Sequence, residues 1–166
     1  MFDVRVNRRL RPGKYALLDV FPSLDESEAL RSIFTDGARE ETLRRCRIDV
    51  VREDAYMYVD AEAGNVVAGL EYLRHGEERI LYLDILHELV HIRQWRDGKE
   101  LWDRRYAYVD RPTEIEAYGV AVREARRLGM TERDIADYLR VEWTSRADHE
   151  RLCRRLGVNS PESRAH

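Results

Sequence analysis

The chain has 166 residues, 43% hydrophobic and 37% charged, which suits one domain around one hydrophobic core. Its 29 basic and 32 acidic residues are finely interspersed and leave a net charge of -3, which excludes bulk attraction to a polyanion. No window approaches the roughly 18–20 apolar residues of a membrane span, and Met1-Phe2-Asp3-Val4-Arg5 lacks the apolar stretch of a secretory signal. Two cysteines, Cys46 and Cys153, make no disulfide framework, so the expectation is a reduced, cytoplasmic protein without a membrane partner.

In chain order, weak alternation at Val4 and Val6 and then over residues 15–20 predicts a short strand or two. Residues 27–47 read as helix broken near Asp36-Gly37, with Ala29, Leu30, Ile33, Phe34, Leu43 and Cys46 apolar. Three strand-like runs follow, at 48–51, 56–59 and 66–73, and the turn signal Ala63-Gly64-Asn65 joins the last two as a hairpin. Residues 78–97 form a long helix stopped by Gly98, apolar nearly all round and so central. Helices are expected near 113–128, 132–141 and 145–156. The fold class is therefore α+β: a small mixed sheet with a hairpin, packed on a buried helix and followed by a helical half. Residues 1–158 make the single domain, and 159–166 a polar, mobile tail.

Inside the central helix stands His87-Glu88-Leu89-Val90-His91. Residues four apart share a helix face, so both imidazoles can reach one metal ion, with Glu88 at the edge of that face. Zinc takes neutral imidazole readily, lowers the pKa of a bound water toward about 7, and leaves a nearby carboxylate to accept the proton. Composition alone would produce this spacing roughly 0.02 times per chain, and its setting among Leu86, Leu89, Val90 and Ile92 sets it apart from a solvated histidine pair. The prediction is one Zn2+ held by His87 and His91, with Glu88 as general base.

The third ligand must come from elsewhere. Asp97 has the offset used where a glycine breaks the metal helix, but Gln94 occupies the glycine position here, so Asp97 ranks low. Thr113 followed by Glu116 is a capping-box pattern, which predicts a helix start and assigns Glu116 to capping. Glu114 instead heads the stripe of Ala117, Tyr118, Ala121, Ala125 and Leu128, where a buried carboxylate needs a cation. Glu114 is the expected ligand, against the plainer alternative of a first-turn acid complementing the helix dipole.

His87-Glu88-Leu89-Val90-His91 with Glu114-Ile115-Glu116-Ala117 resembles the gluzincin metallopeptidases, whose third ligand is a glutamate on a later helix. The short gap between the two is similar to that of the minigluzincins and the ImmA/IrrE regulatory peptidases, over roughly residues 55–128. The resemblance implies a zincin-like fold, a peptide or protein substrate, and an outer sheet strand that pairs with extended substrate, here residues 66–73. Where many gluzincins carry an acid to orient a histidine, this chain has Tyr118, and Asp84 is the substitute one turn before His87. Tyr106, Tyr108, Tyr118 and His149 are candidate oxyanion stabilisers.

The last two helices loosely resemble a helix-turn-helix, with Arg146, Arg151, Arg154 and Arg155 on the second. Asp148 and Glu150 would face the phosphates, so the expectation is a helical pair packed on the core and no nucleic-acid partner. Trp95, Trp102, Trp143, Cys46 and Cys153 read as packing residues. The competing functions are a zinc-binding regulatory protein that contacts a repressor or DNA, and a structural zinc fold.

Overall fold

The computed structural model describes residues 2–35 and 37–160. Its sheet has four strands, β1 (Gly13–Ala16), β2 (Arg47–Val51), β3 (Met57–Asp60) and β4 (Asn65–Gly69), in the order β1-β2-β4-β3. β1 runs antiparallel to β2, β2 parallel to β4, and β3 antiparallel to β4 in register Met57↔Ala68 to Asp60↔Asn65. The predicted hairpin is thus present. Alternation sorts the side chains as the period of two requires: Ile48, Val50, Met57 and Val59 are buried, while Tyr58 points to solvent. The interior strand β4 buries Val66, Val67, Ala68 and Gly69, as covered faces on both sides demand.

Two strand expectations are corrected. Residues 17–20 form a helical turn, α1 (Leu17–Val20), whose buried Leu17 and Val20 fall three apart. The run 66–73 is strand only to Gly69, where any β-carbon would collide with the Ala55 carbonyl oxygen. The chain then turns into α4 (Leu70–His75), with Leu70 and Leu73 inward and Glu71 and Arg74 outward.

The broken helix at 27–47 appears as α2 (Glu28–Ile33), capped by the Ser27 hydroxyl, and α3 (Ala38–Arg45); Asp36 lies outside the described residues. At the centre is α5 (Glu78–Arg96), with 12 of its 19 residues buried, as a helix apolar on several faces must be. It closes at Gly98, φ 76°, with Lys99 N–H donating to the Gln94 carbonyl and Gly98 N–H to that of Trp95. Against it packs α6 (Pro112–Arg127). A buried chain of hydrogen bonds, Ser27 to Tyr82 to Glu124, ties α2, α5 and α6 together, and Arg127 neutralises Glu124.

α7 (Glu132–Tyr138) and α8 (Arg146–Arg155) complete the helical half, each opened by a capping box, Thr131 with Asp134 and Ser145 with Asp148. They pack on different neighbours, α7 on α6 and α8 on the turn Tyr108–Asp110, where Arg151 and Arg155 are committed to Asp110. The tail begins docked, since Asn159 N–H donates to Glu132 and Ser160 is buried; residues 161–166 lie outside the described residues. Among the described residues no helix is long and apolar enough to cross a membrane.

Candidate metal centre

His87 and His91, one turn apart on α5, face the first turn of α6, which delivers Glu114. The two imidazole Nε2 atoms lie 3.1 Å apart, His87 Nε2 is 3.1 Å from Glu114 Oε2, and His91 Nε2 is 3.2 Å from Glu114 Oε1. All three side chains are buried, and among the described residues they are the one group arranged to hold a metal ion.

The donor set fits a cation on two grounds. Around an ion about 2.0–2.1 Å from each ligand, as zinc sits from imidazole, tetrahedral ligands stand about 3.3–3.4 Å apart, close to the spacings here. Glu114 Oε2 is also buried without a hydrogen-bond donor: His87 Nε2 is near enough for an ion pair but is not aligned as a hydrogen bond. With the protein's own groups alone, burial raises Glu114, but His87 and His91 outweigh it and hold the carboxyl well below its usual range. Burial depresses His87. Burial would depress His91 too, yet the Glu114 and Glu88 carboxylates overcome it and lift the imidazole to about 9.

Gln94 supplies what the sequence reading assigned to Asp84. Its Nε2 donates to the Thr113 carbonyl and to Glu116, which fixes Oε1 toward His91 Nδ1 at 2.7 Å. His91 therefore keeps a proton on Nδ1, and loss of the Nε2 proton, which faces Glu114 in the metal-free protein, would leave the Nε2 lone pair for a cation. Asp84 is engaged elsewhere, by hydroxyls of Tyr72 and Tyr138, and His87 Nδ1 has no hydrogen-bond partner among the described residues.

The expected capping box does not form. The helix starts with Pro112 in its first turn, the Thr113 hydroxyl donates to the Leu101 carbonyl, and Glu116 accepts from Gln94 and Arg93. Asp97 sits at the exposed C-cap of α5, outside the His87-His91-Glu114 group.

A cleft of about 700 Å3 opens directly onto the three candidate ligands and Glu88. Burial raises Glu88 to about 8. One wall is β3, an edge strand; β4, expected in that position, is enclosed by β2 and β3. On the other side Tyr108 and Tyr118 join hydroxyls at 2.7 Å, and the Tyr118 ring centroid lies 4.2 Å from that of His87. Of the four oxyanion candidates only this pair lines the cleft. Tyr106 is exposed away from it, and His149 is buried with Nε2 donating to the Ala136 carbonyl.

Trp95 packs under the hairpin, its indole N–H donating to Ala61, whereas Trp102 and Trp143 are exposed on the rim of the cleft. Cys46 and Cys153 are buried, as expected. No family model, curated protein or solved structure matches this chain. The site therefore stands on its own geometry.

Proposed function

We propose that this chain is a zinc-dependent peptidase of gluzincin type, with His87, His91 and Glu114 as ligands and Glu88 as general base. The observation that carries the reading is the placement of Glu88 and the three converging ligands together at the floor of an open cleft. A structural metal needs neither a general base nor an accessible position.

Zinc at this site would supply Lewis acidity, lowering the pKa of bound water to about 7 and polarising a carbonyl. Glu88 lies beside His87 in the cleft; a cation there would offset the burial that raises its pKa, and the carboxylate would then accept the proton of the attacking water and later deliver it to the leaving amine. The Tyr108–Tyr118 hydroxyl pair offers a donor for the oxygen that gains charge. An extended peptide would pair with the free edge of β3, while Tyr56 and Tyr58 flank its path. The regulatory alternative has less support, because the arginines of α8 nearest the core already have acidic partners.

The test joins metal content to turnover. Zinc is measured by elemental analysis on wild type, Glu114→Ala and Glu88→Gln, and cleavage of a quenched fluorescent peptide library is followed in parallel. The expected pattern is stoichiometric zinc in wild type and Glu88→Gln, zinc lost in Glu114→Ala, and cleavage by wild type alone. Zinc retained in Glu114→Ala, or turnover unchanged in Glu88→Gln, would overturn the assignment.

A further inference from the structure

Asp84 is an acidic group of the cleft floor that the proposed chemistry does not use. It lies three residues before His87 and four before Glu88, so it projects from the same face of α5, one turn away. Tyr72 and Tyr138 donate hydroxyls to it. An ionised carboxylate has about four acceptor sites, and two hydroxyls leave part of that capacity free. Among the described residues no cation offsets its burial; the two hydroxyls alone do so. Asp84 is not sealed inside the core, because it lines the cleft.

The walls above it are aromatic. The Tyr56 and Tyr72 rings meet edge to face at 5.2 Å, Trp143 stands 6.5 Å from Tyr56, and Trp143 and Tyr108 are 5.5 Å apart. Electron-rich ring faces attract cations, and they also cover the aliphatic stem of a long basic side chain. Glu77, Asp134, Asp137 and Glu142 line the cleft against Arg79 and Arg140, so its outer part adds further negative potential. Tyr56, Tyr58, Trp102 and Trp143, four of the five exposed large hydrophobic residues among the described residues, also gather there. That concentration is what a binding surface shows and a plain solvated surface does not.

We propose that the compartment formed by Asp84, Tyr56, Tyr72, Tyr138 and Trp143 is a subsite for a cationic group of the substrate, next to the bond acted on at Glu88. This deepens the peptidase reading and rests on it. The group is an ammonium or guanidinium, carried by a lysine or arginine side chain or by the free amino terminus of the peptide.

Binding is read apart from cleavage, in Glu88→Gln so that no peptide is consumed, by quenching of tryptophan fluorescence. The probes are acetyl-Ala-Ala-Xaa-Ala-Ala-amide with Xaa as Arg, Lys, norleucine or Glu, and the norleucine peptide with its amino terminus free. Arg and Lys peptides, or the free-terminus peptide, are expected to bind about tenfold more tightly than acetylated norleucine, with Glu weakest. Which of them gains identifies the source of the cation. Asp84→Asn in the same background is expected to erase the gain and leave norleucine binding unchanged. Equal binding of cationic and neutral peptides, no binding by any of them, or a preference that survives Asp84→Asn overturns the proposal. The peptide series alone decides the matter should the variant fail to fold. Absence of hydrolysis by wild type, with the cationic preference intact, would count against the peptidase reading and not against this subsite.

Discussion

Gln94 accepts a hydrogen bond from His91 Nδ1 at 2.7 Å and, through its other end, donates to the Thr113 carbonyl one residue before Glu114. One amide therefore orients a candidate ligand on α5 and locates the candidate ligand on α6. Gln94→Ala is expected to weaken metal affinity about 10–100-fold with the helical content intact, measured by competition against a chromogenic chelator. Gln94→Glu should fail to restore it, because a carboxylate loses both donated bonds and faces Glu116. Wild-type affinity in the alanine variant would remove Gln94 from the site.

Metal loading should release protons. In protein stripped with a chelator, burial depresses His91 but the Glu114 and Glu88 carboxylates more than compensate and hold it at about 9. At pH 7.5 an entering cation must displace that proton, so affinity should fall about tenfold per pH unit below 9. Calorimetry in buffers of different ionisation enthalpy measures the release, expected near one proton per metal. Affinity independent of pH between 6.5 and 8.5 would contradict the coupling.

Asp84 gives a second pH dependence, of stability. Burial, only partly offset by the Tyr72 and Tyr138 hydroxyls, raises its pKa from 3.8 to about 7. The folded state then binds this proton more tightly than the unfolded chain, so stability falls as pH rises through the window from about 4 to about 7. Asp84→Asn keeps an acceptor for the hydroxyls and removes the charge. Its melting temperature should exceed wild type at pH 8 and match it near pH 4, with metal chelated in both. A difference that does not vary with pH would show Asp84 to be ionised at no cost.

Gly69 closes β4 where the Ala55 backbone crosses it. Gly69→Ala is expected to destabilise by roughly 3 kcal/mol or more, because backbone must move to admit one carbon. Urea unfolding measures it, and a change below about 0.5 kcal/mol, the range of an ordinary surface substitution, would contradict the close approach.

The central helix and the residues that could hold a metal ion are legible because their information is local. Apolar period, glycine stop and four-residue spacing all lie within residues 78–98, and Glu114 followed from the buried stripe of α6. What misled was local chemistry redirected by distant partners. Thr113 and Glu116 match a capping box, yet Leu101 and Gln94 take their hydrogen bonds. Gln94 reads only as a missing glycine, since the two acceptors that hold its amide toward His91 lie 19 and 22 residues away. Trp102 and Trp143 look like core residues in any composition count; only the folded chain places them at a rim. Strand pairing is equally non-local, so nothing in residues 56–73 says that β3 and not β4 ends the sheet.

The two ends of that sheet are not equivalent. β1 carries Lys14 along its four residues, a charge that discourages a further strand from adding there. From Tyr56 to Val59 the opposite border has no charged side chain, and Asp60 is occupied with its own turn at Glu62 and Ala63. A border this permissive does not distinguish a foreign strand from the same strand on a second molecule. A second molecule would then compete for the same border at high concentration, so the expectation is self-association through β3 that rises with concentration and recedes as the cleft fills, which sedimentation with and without peptide measures.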